Sequence, residues 1–398
     1  MEDFLKKIIF VLLIFVCPKT YSFVDNNFLI PIGSVEGITG NTGIARLGSI
    51  GSVIYNPAGL AFSKDKKISI AGSAYTQNSI TIDYQVLKKD ISFFQSTPSQ
   101  VTTVFNKFGF AFAFSVLVPK IYKLDFNLDL KNEIIFNQNY FSYETEEAYF
   151  GPTIAKNFGS NFSLGTSIFL IKKNEDQTSN SFIYIDDNNF EQKFETKKIE
   201  GYTLLTILDA SLQLGPRLIV GFKVATPQIN LSSKFNQSYT EISTTTGLKA
   251  ERKIDGEAFF SAPAEIASGI QFRISDKLKI LTDIAFYPGM DFTLIKNDVL
   301  GDKYEKKFIS SLRTHFGFEY RFSNNESINF GAQYNQKNSD DSSDFIGFQL
   351  GYRKKEEIAD SLIGIFVNKN IAKRNDDGTQ IDYLMAGLYL STSINFIK

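Results

Sequence analysis

Hydrophobic and polar residues alternate along most of the chain with a period of two, which is the period of a β-strand. In Leu278–Tyr287, one face carries Leu, Ile, Thr, Ile and Phe, and the other carries Lys, Leu, Asp, Ala and Tyr. The segments Leu312–Phe322, Ile328–Asn335, Ile346–Arg353 and Leu384–Phe396 repeat this pattern. After the N-terminus, no apolar run approaches the roughly 18 residues that a membrane-spanning helix requires. The pattern predicts an all-β protein.

From Lys67 onward, the alternation predicts fourteen strands joined by connections that alternate between short and long. The predicted strands are Lys67–Thr76, Pro98–Phe105, Phe108–Val118, Ser142–Asn157, Phe162–Lys172, Lys197–Leu214, Leu218–Lys234, Glu251–Ile274, Leu278–Ile295, Lys307–Phe322, Glu326–Gln336, Asp344–Lys354, Ala359–Ile371 and Tyr383–Phe396. The six short connections are Asn106-Lys107, Phe158–Asn161, Gly215–Arg217, Ser275–Lys277, Ser323–Asn325 and Lys355–Ile358.

Two architectures fit amphipathic strands of this kind. In a β-sandwich the apolar faces point into a shared core, whereas in a transmembrane barrel they point outward into lipid. Strands of about 9–11 residues are long enough to cross a bilayer when tilted, and an even number of strands closes without a free edge. Together with the alternating connections, these features favour a 14-stranded antiparallel transmembrane β-barrel.

The longer connections are predicted to be extracellular loops, because outer-membrane barrels place short turns on the periplasmic side and long loops outside. The four longest are Gln77–Thr97, Pro119–Phe141, Lys173–Thr196 and Phe235–Ala250. Within them, Ser79–Leu87 and Ile121–Asn137 alternate well enough to form strands. We assign both to hairpins inside the loops; if either crossed the membrane, the strand count would change.

The average hydrophobic content of the chain is ordinary, because in a membrane-spanning strand only every second residue would face lipid. The chain holds 39 Phe and 18 Tyr but no Trp, and its hydrophobic content is 43%. Its 42 basic and 43 acidic residues give a net charge of −1, which provides no basic excess for nucleic acid. One Cys excludes disulfide scaffolds and Cys-ligated metal sites. We expect no cofactor, no metal and, because His315 is the lone histidine and no Gly-x-Ser-x-Gly elbow occurs, no enzymatic activity.

The first residues resemble a secretory signal peptide. Lys6 and Lys7 precede the apolar stretch Ile8–Val16, which is too short to cross a bilayer as a helix. Small residues at Thr20 and Ser22 favour cleavage after Ser22. The alternative is lipidation of Cys17, which usually requires a small residue just before the cysteine.

The segment between the signal and the first strand is rich in glycine, with seven glycines from Gly33 to Gly59. Such a density favours irregular, closely packed backbone over regular strand or helix. The segment has the right size to fold inside a barrel as a plug. We therefore divide the chain into a signal peptide (1–22), an N-terminal hatch or plug (23–66) and the β-barrel (67–398).

Within this segment, Gly40–Arg46 is followed by Val53–Ala61, which contains Asn56, Pro57, Ala58 and Gly59. This pattern resembles the FadL/TodX family of outer-membrane transporters for hydrophobic compounds, whose Gly-rich hatch carries an Asn-Pro-Ala motif just before the first barrel strand. Further similarities to the family are at Phe112–Pro119, Gly221–Pro227 and Ala262–Glu265.

The motif also has a physical interpretation of its own. Pro57 fixes its own φ and favours extended geometry at Asn56. Asn56 can bond neighbouring backbone, and Gly59 permits a positive φ. The residues thus predict a rigid bend, either an ordinary turn or, in this position, part of the hatch.

The resemblance implies passive uptake of hydrophobic molecules such as long-chain fatty acids, which leave through a lateral gap in the barrel wall. Aromatic side chains of the loops and upper lumen are candidates for ligand contact, because they offer large apolar surfaces with few rotatable bonds. The alternative for each is a membrane-interface or loop-packing position. The candidates are Phe141, Tyr143, Tyr149, Phe182, Tyr184, Phe190, Phe259 and Phe260.

Charged residues on the polar faces of the strands are predicted to point into the lumen. They have two interpretations: a clamp for a fatty-acid carboxylate, since Arg binds carboxylates bidentately, or an internal charge network that fills the barrel. These residues are Lys223, Arg273, Asp283, Arg313, His315, Glu319 and Arg321.

The expected location is the outer membrane of a Gram-negative-type bacterium, and the expected partners are a hydrophobic small molecule and outer-membrane lipid. A second class of barrel remains open, because Asn-Pro-Ala-Gly-Leu also occurs in barrels that resemble the PorV-type proteins of a secretion system. Such a barrel binds protein partners rather than importing solutes.

Overall fold

A computed structural model of the chain describes residues 31–63, 66–84, 87–131, 136–186, 189–297, 302–339, 343–371 and 379–396. The signal peptide, cleavage after Ser22 and lipidation at Cys17 lie outside these residues. The boundaries of the predicted hatch at 23 and 66 are likewise not tested. These assignments remain predictions.

Nearly all of the described chain is β-structure, preceded by short helical turns. The strand segments are β1 (Lys66–Tyr84), β2 (Leu87–Lys107), β3 (Phe110–Lys131), β4 (Phe136–Phe158), β5 (Phe162–Asp186), β6 (Asn189–Leu214), β7 (Leu218–Ala225), β8 (Ile229–Ser243), β9 (Leu248–Ala258), β10 (Glu265–Arg273), β11 (Leu278–Tyr287), β12 (Met290–Asn297), β13 (Asp302–Phe308), β14 (Ser311–Arg321), β15 (Glu326–Asn335), β16 (Asp344–Lys355), β17 (Ala359–Ile371) and β18 (Thr379–Phe396). The helical turns are the 3₁₀ turn Glu36–Ile38, the single-turn helix α1 (Ser52–Tyr55) and the 3₁₀ turn Pro57–Phe62.

These segments form a closed antiparallel barrel of fourteen strands, as the sequence predicts. Each strand pairs with its neighbours in the chain, and β18 closes the sheet against β1. Four barrel strands each consist of two segments: β7 with β8, β9 with β10, β11 with β12, and β13 with β14. Because a closed barrel has no second sheet over its apolar face, the sandwich alternative is wrong.

All six predicted short connections are tight turns at one end of the barrel, which we call the lower end. The first lies two residues later than predicted. Phe108 and Gly109 form this turn with φ of 54° and 76°, and β3 begins only at Phe110. The glycine accepts a positive φ without steric cost, which places the turn there rather than at Asn106-Lys107.

The prediction of four long loops is wrong, because most residues of each predicted loop belong to strands. β1 and β2 stay paired up to Tyr84↔Leu87, and β5 and β6 stay paired up to Asp186↔Asn189. The described parts of Ser79–Leu87 and Ile121–Asn137 are therefore extensions of strands and not separate hairpins. In Ile121–Lys131 the sequence alternation of apolar and polar residues continues along the extended strand. At 25 and 26 residues, β5 and β6 exceed the roughly 9–11 residues that cross a bilayer.

The two faces of the barrel wall differ in the way that the alternation predicts. On β11, Ile284 is 49% exposed and Phe286 is 41% exposed, whereas Asp283 is only 3% exposed. Apolar side chains on the other strands continue this exposed belt. An uncovered apolar belt of this extent is unfavourable in water and suits contact with lipid. Among the described residues, no helix is long and apolar enough to cross a membrane.

Residues 31–63 of the predicted hatch lie inside the lower half of the barrel. Ile38, Ile54 and Leu60 are almost fully buried. The end of the segment is held near the lower turns, where Asn106 and Asn157 donate side-chain hydrogen bonds to the Ser63 and Ala61 carbonyls, at 2.8 and 2.9 Å. The upper half of the lumen, toward the long hairpins, is lined by barrel side chains instead.

Candidate functional site

The Asn-Pro-Ala motif ties three parts of the lower barrel together through one side chain. Asn56 caps the 3₁₀ turn that Pro57 begins, and its Oδ1 accepts a hydrogen bond of 2.7 Å from the Gly59 backbone. Its Nδ2 donates to the Arg46 carbonyl at 3.0 Å, while Ser211 on β6 donates to Oδ1 at 3.0 Å. Asn56 thus joins the turn, the preceding hatch loop and the barrel wall.

Gly59 is required for space rather than for a positive φ. It is absent from the described residues with positive φ, contrary to the expectation from sequence. A Cβ at Gly59 would lie 2.4 Å from the Arg46 carbonyl oxygen and 2.8 Å from Asn56 Nδ2. The motif therefore holds the hatch backbone in a compact turn, and Ala58 is buried at the centre of this turn.

Asp283 on β11 holds the hatch backbone through one carboxylate oxygen. Its Oδ2 accepts hydrogen bonds from the backbone N–H groups of Gly43, at 2.7 Å, and Ile44, at 3.0 Å. Both donors belong to the glycine-rich loop before α1. A carboxylate that accepts two backbone N–H bonds fixes the position of that loop as well as its direction.

Glu319 on β14 is the centre of a buried charge cluster below the hatch loop. Its Oε2 accepts a hydrogen bond from Arg46 Nη1 at 3.2 Å. Its Oε1 lies 3.0 Å from both Lys279 Nζ and Arg321 Nε. Arg46 also approaches Glu36 at 3.8 Å. One carboxylate therefore binds a hatch cation and two wall cations.

His315 is part of a polar chain between the hatch and the wall. Its two ring nitrogens lie 3.3 Å from the Asn41 carbonyl and 3.3 Å from Asn335 Oδ1. Asn41 in turn donates to Gln333 at 2.9 Å and accepts from the Tyr55 hydroxyl at 3.0 Å. Burial, reinforced by the nearby Glu36, raises the pKa of Tyr55 well above its ordinary value, so Tyr55 remains a donor.

The wall approaches the hatch so closely that side chains are excluded at two strand glycines. A Cβ at Gly221 would lie 1.8 Å from the Ile44 carbonyl oxygen, and one at Gly331 would lie 1.8 Å from the Gly40 backbone nitrogen. Backbone meets backbone at both places. The hatch is therefore seated by shape as well as by polar contacts.

Above the hatch lies a small luminal cavity of about 60 Å³, which we call the upper cavity. One wall carries charged groups, with Lys173 Nζ 3.4 Å and Lys120 Nζ 4.0 Å from Glu147 Oε1. Its lining also includes Tyr143, Glu175, Phe260, Pro263, Tyr287, Phe292, Phe308 and Arg313. Aromatic rings and cations thus line the same space.

Arg313 is the most notable polar group of the upper cavity. Its guanidinium lies over the Tyr287 ring, 4.2 Å from the centroid, and Nη1 donates to the Tyr287 hydroxyl at 3.1 Å. Its Nε and Nη2 are buried and have no hydrogen-bond partner among the described residues. An unpaired buried donor is costly, so these groups favour an acceptor in the cavity.

The barrel wall is open beside this region, between β2 and β3. Pairing of the two strands ends at Gln100↔Leu117, and in the described chain β2 above this level pairs only with β1, and β3 only with β4. Pro98 and Pro119 lie just beyond the last pair. A proline cannot donate to a ladder, which accounts for the break at this level.

Aromatic side chains fill the break from the inside. Phe93 on β2 meets Tyr122 on β3 edge-on, with 5.9 Å between centroids, and Tyr122 lies 6.1 Å from both Tyr143 and Tyr383. The side chain of Gln95 also crosses the break and donates to the Ile121 carbonyl at 3.4 Å. We call these four rings the aromatic seam. Tyr143 belongs to both the seam and the upper cavity.

A second interruption lies on the other side of the upper cavity. The strand formed by β9 and β10 pairs with the next strand at Ala258↔Ile295 and at Ile266↔Phe286, but no ladder pair joins the residues between. Pro263 and Pro288 occupy this stretch. Both of these wall breaks thus occur where the sequence places proline.

Five of the eight predicted aromatic candidates do not line the upper cavity. Phe182, Tyr184 and Phe190 pack against one another at the tip of the β5–β6 hairpin, with 5.3 Å between the stacked Phe182 and Phe190 rings. Phe259 is 39% exposed. Tyr149 is buried among the residues that pack against the hatch. Their proposed ligand role has no support from their positions.

The remaining three candidates are in or beside the upper cavity. Tyr143 and Phe260 line it, and Phe141 packs against the cluster that contains the aromatic seam. Lys173 Nζ lies 5.6 Å from the Phe260 ring centroid. These positions are compatible with ligand contact, which remains a prediction.

The predicted luminal charges do point inward but do not form one network. Asp283, Glu319, Arg321 and His315 engage the hatch or its cluster, as described above. Lys223 pairs with Glu265 at 3.0 Å, Arg313 faces the upper cavity, and Arg273 lies at the lower mouth. The sequence missed Arg46, because only the fold brings this hatch residue to Glu319. It also missed Lys120 and Lys173, which lie in predicted loops, and Glu147, which lies in the predicted strand Ser142–Asn157.

Comparison with solved structures identifies the architecture. A Pseudomonas aeruginosa FadL homologue superposes with a TM-score of 0.69, over 94% of this chain and 100% of that one, at 14% identity. The Ralstonia pickettii toluene transporter TbuX gives 0.65, with 93% and 99% coverage and 12% identity. The Pseudomonas putida toluene transporter TodX gives 0.64, with 92% and 99% coverage and 14% identity. The chain has the FadL/TodX fold.

The resemblance seen in the hatch motif is therefore confirmed at the level of structure. No protein-family model and no curated protein sequence matches the chain. At 12–14% identity, the FadL/TodX fold is shared without close sequence similarity. The fold establishes the barrel, and the function must be argued from the cavity and the wall.

Proposed function

We propose that this protein conducts hydrophobic small molecules across the outer membrane of a Gram-negative-type bacterium by passive diffusion. The observation that carries the proposal is the upper cavity, where aromatic rings and the unpaired N–H groups of Arg313 adjoin a break in the barrel wall. Solved proteins with this fold are described as toluene transporters and a FadL homologue. Transport is favoured over catalysis, since both ring nitrogens of His315 face asparagine oxygens.

The preferred substrate class is an amphiphile with an acidic head, such as a long-chain fatty acid. Arg313 offers two unpaired nitrogens, Nε and Nη2, and a carboxylate is the acceptor that a guanidinium binds best. Lys120 and Lys173 lie on the opposite wall, both within ion-pair distance of Glu147. An uncharged aromatic such as toluene has no use for these cations.

The route of the ligand follows from how firmly each part of the barrel is closed. The hatch fills the lower lumen, so a ligand in the upper cavity meets the aromatic seam rather than an open channel. At about 60 Å³, the upper cavity is far smaller than the roughly 300–1,000 Å³ of pockets that enclose a whole ligand, so it accommodates the head group alone. The alkyl chain must therefore part the Phe93–Tyr122 contact, and it leaves through the β2–β3 break toward the lipid.

The test compares an acid with its uncharged analogue. Oleate and oleyl alcohol are titrated into the purified barrel carrying Arg313→Gln, with Arg252→Gln as the control, since Arg252 is exposed on β9 at the opposite end of the barrel from the short turns. We expect Arg313→Gln to weaken oleate binding by about tenfold or more, from the loss of a charged hydrogen bond. Binding of oleyl alcohol should be unchanged.

Uptake of labelled oleate by cells supplies the second measurement. Deletion of the gene should reduce uptake, and re-expression should restore it. Equal losses for oleate and oleyl alcohol in Arg313→Gln would contradict the carboxylate role. No binding of either ligand and no change in uptake, together with a stable protein partner on purification, would instead favour the PorV-type alternative.

A further inference from the structure

A second and larger cavity, of about 330 Å³, lies at the lower mouth of the barrel beneath the hatch. Its walls come from the hatch loop around Gly48 and from the lower ends of several strands. We call it the basic vestibule, because among the described residues eight Lys and Arg side chains line it and Asp360 is the only acidic residue that does so. The function proposed above does not use it.

Four of these eight cations are paired with carboxylates. Glu319 binds Arg46, Lys279 and Arg321, as described above. Arg353 donates to Asp360 through Nε at 2.8 Å and again through Nη2. These pairs lie in the wall of the vestibule, and their carboxylates are already bound to cations.

Three further cations remain without such compensation. Arg217, Arg273 and Lys355 all line the vestibule. Within the part of the chain that the structure describes, none of the three has a carboxylate at ion-pair distance. Arg217 lies on the β6–β7 turn and Arg273 at the end of β10 beside it, where the Arg273 backbone N–H donates to the Arg217 carbonyl at 2.8 Å. The two guanidinium groups therefore belong to adjoining turns at one side of the mouth.

The size and chemistry of the vestibule restrict its occupant. A volume of about 330 Å³ lies at the small end of the roughly 300–1,000 Å³ of ligand pockets. Clustered positive charge against low-dielectric protein walls raises the local concentration of anions. The guanidinium fork matches carboxylate and phosphate oxygens bidentately. The amide side chains of Gln213 and Gln271 add hydrogen-bonding groups to the lining.

We propose that the basic vestibule is a binding site for a small oxyanion, a carboxylate or a phosphate, separate from the upper cavity. Arg217 and Arg273 supply the principal contacts. The hatch lies between the two sites, so the vestibule is reached from the periplasmic side. This inference does not rest on the uptake of hydrophobic compounds.

The experiment measures binding of three soluble anions to the purified full-length barrel in non-ionic detergent by calorimetry. The probes are inorganic phosphate, glycerol 3-phosphate and hexanoate. The test variant is Arg217→Gln with Arg273→Gln, and the single change Arg217→Gln, on an exposed turn, guards against misfolding. The control, Lys107→Gln with Arg252→Gln, removes the same two charges, one from an exposed position at the lower turns and one from the upper hairpins.

We expect at least one probe to bind the wild type, and binding to weaken by about tenfold or more in the double variant but not in the control. The single variant should show a smaller loss, and added salt should weaken binding. Preference for hexanoate would indicate the head group of an acidic amphiphile as the natural source. Preference for the phosphates would indicate a free phosphate ester or a phospholipid head group.

The proposal is overturned if none of the three anions binds, or if the test and control variants lose equal affinity. Oleyl alcohol binding, measured on the same samples, keeps this outcome distinct from failure of the uptake function. The double variant also separates the two sites, because Arg217 and Arg273 line the basic vestibule whereas Arg313 lines the upper cavity.

Discussion

The lower and upper halves of the barrel are filled by different means. In the lower half, hatch backbone contacts wall backbone at Gly221 and Gly331, and carboxylates of Asp283 and Glu319 fix the remaining positions. In the upper half, strand pairing between β2 and β3 is missing, and the aromatic seam closes the space with side chains alone. One half is specified by backbone fit, and the other by contacts between rings.

The difference indicates which half can open. Separating the hatch from the wall would break buried charged hydrogen bonds and leave their partners unpaired, at a cost of several kcal/mol each. Separating two rings costs only about 0.5–1.5 kcal/mol beyond the apolar area exposed, and an apolar ligand would cover that area again. A hydrophobic molecule is therefore expected to move the aromatic seam and leave the hatch in place.

The largest effect is expected from Gly331→Leu on β15. The new Cβ would lie 1.8 Å from the Gly40 backbone nitrogen, and backbone cannot move aside as a flexible side chain does. We expect the hatch to be displaced and the lower barrel to leak. Single-channel conductance in planar bilayers should rise from closed to an open-pore level.

The control for this change is Ala332→Val, next in the sequence. Ala332 alternates to the outer face of β15, where added volume meets no hatch atom. It should leave the pore closed and the thermal unfolding temperature nearly unchanged. A closed pore in Gly331→Leu would show that the hatch is not seated by backbone contact at this point.

The next effect is expected from Glu319→Gln in the charge cluster. The change leaves Arg46, Lys279 and Arg321 without their shared carboxylate. Removing one partner of a buried ion pair typically lowers the free energy of unfolding by about 3–5 kcal/mol. Equilibrium unfolding in urea with lipid vesicles measures the loss, and Glu357→Gln, at an exposed turn position, should show almost none.

A double-mutant cycle with Arg46→Gln locates the effect. If the hatch–wall pair matters, the two changes together should cost less than the sum of the single changes by about 1 kcal/mol or more. Strictly additive losses would mean that Glu319 serves only the wall cations. In that case the hatch would be held by Asp283 and by shape.

Much of this fold is accessible from sequence, because each strand carries its own signal. The faces of Leu278–Tyr287 and Leu384–Phe396 lie as the alternation predicts, and the number of strands and short turns is correct. The predicted loops are wrong for a related reason. Segments such as Ile121–Asn137 keep alternating, so the same signal marks strand both inside the membrane and beyond it.

The site is less accessible, because its residues meet only after the barrel closes. Arg46 and Glu319 are far apart in the chain, and Phe93 and Tyr122 meet above the level at which β2 and β3 stop pairing. Proline offers a partial signal. Pro98, Pro119 and Pro263 all lie where a ladder stops, and a proline within a long alternating segment could have marked the wall breaks in advance.

The smallest effect, and the sharpest test of the upper half, compares two tyrosines of the aromatic seam. The Tyr383 hydroxyl donates to Asn78 Oδ1 at 2.7 Å, whereas the Tyr122 hydroxyl is buried without a partner among the described residues. Tyr383→Phe should lower the free energy of unfolding by about 1 kcal/mol. Tyr122→Phe should leave it unchanged or raise it slightly, because it removes an unsatisfied polar group.

The same pair separates stability from passage. Both variants keep the ring that closes the seam, so neither should open the wall to ions. If Tyr122→Phe proves as destabilising as Tyr383→Phe, its hydroxyl has a partner, and the seam is held by polar contacts as the hatch is. The contrast between the two halves would then fail at Tyr122, which tests it most directly because its ring contacts rings on both sides of the break.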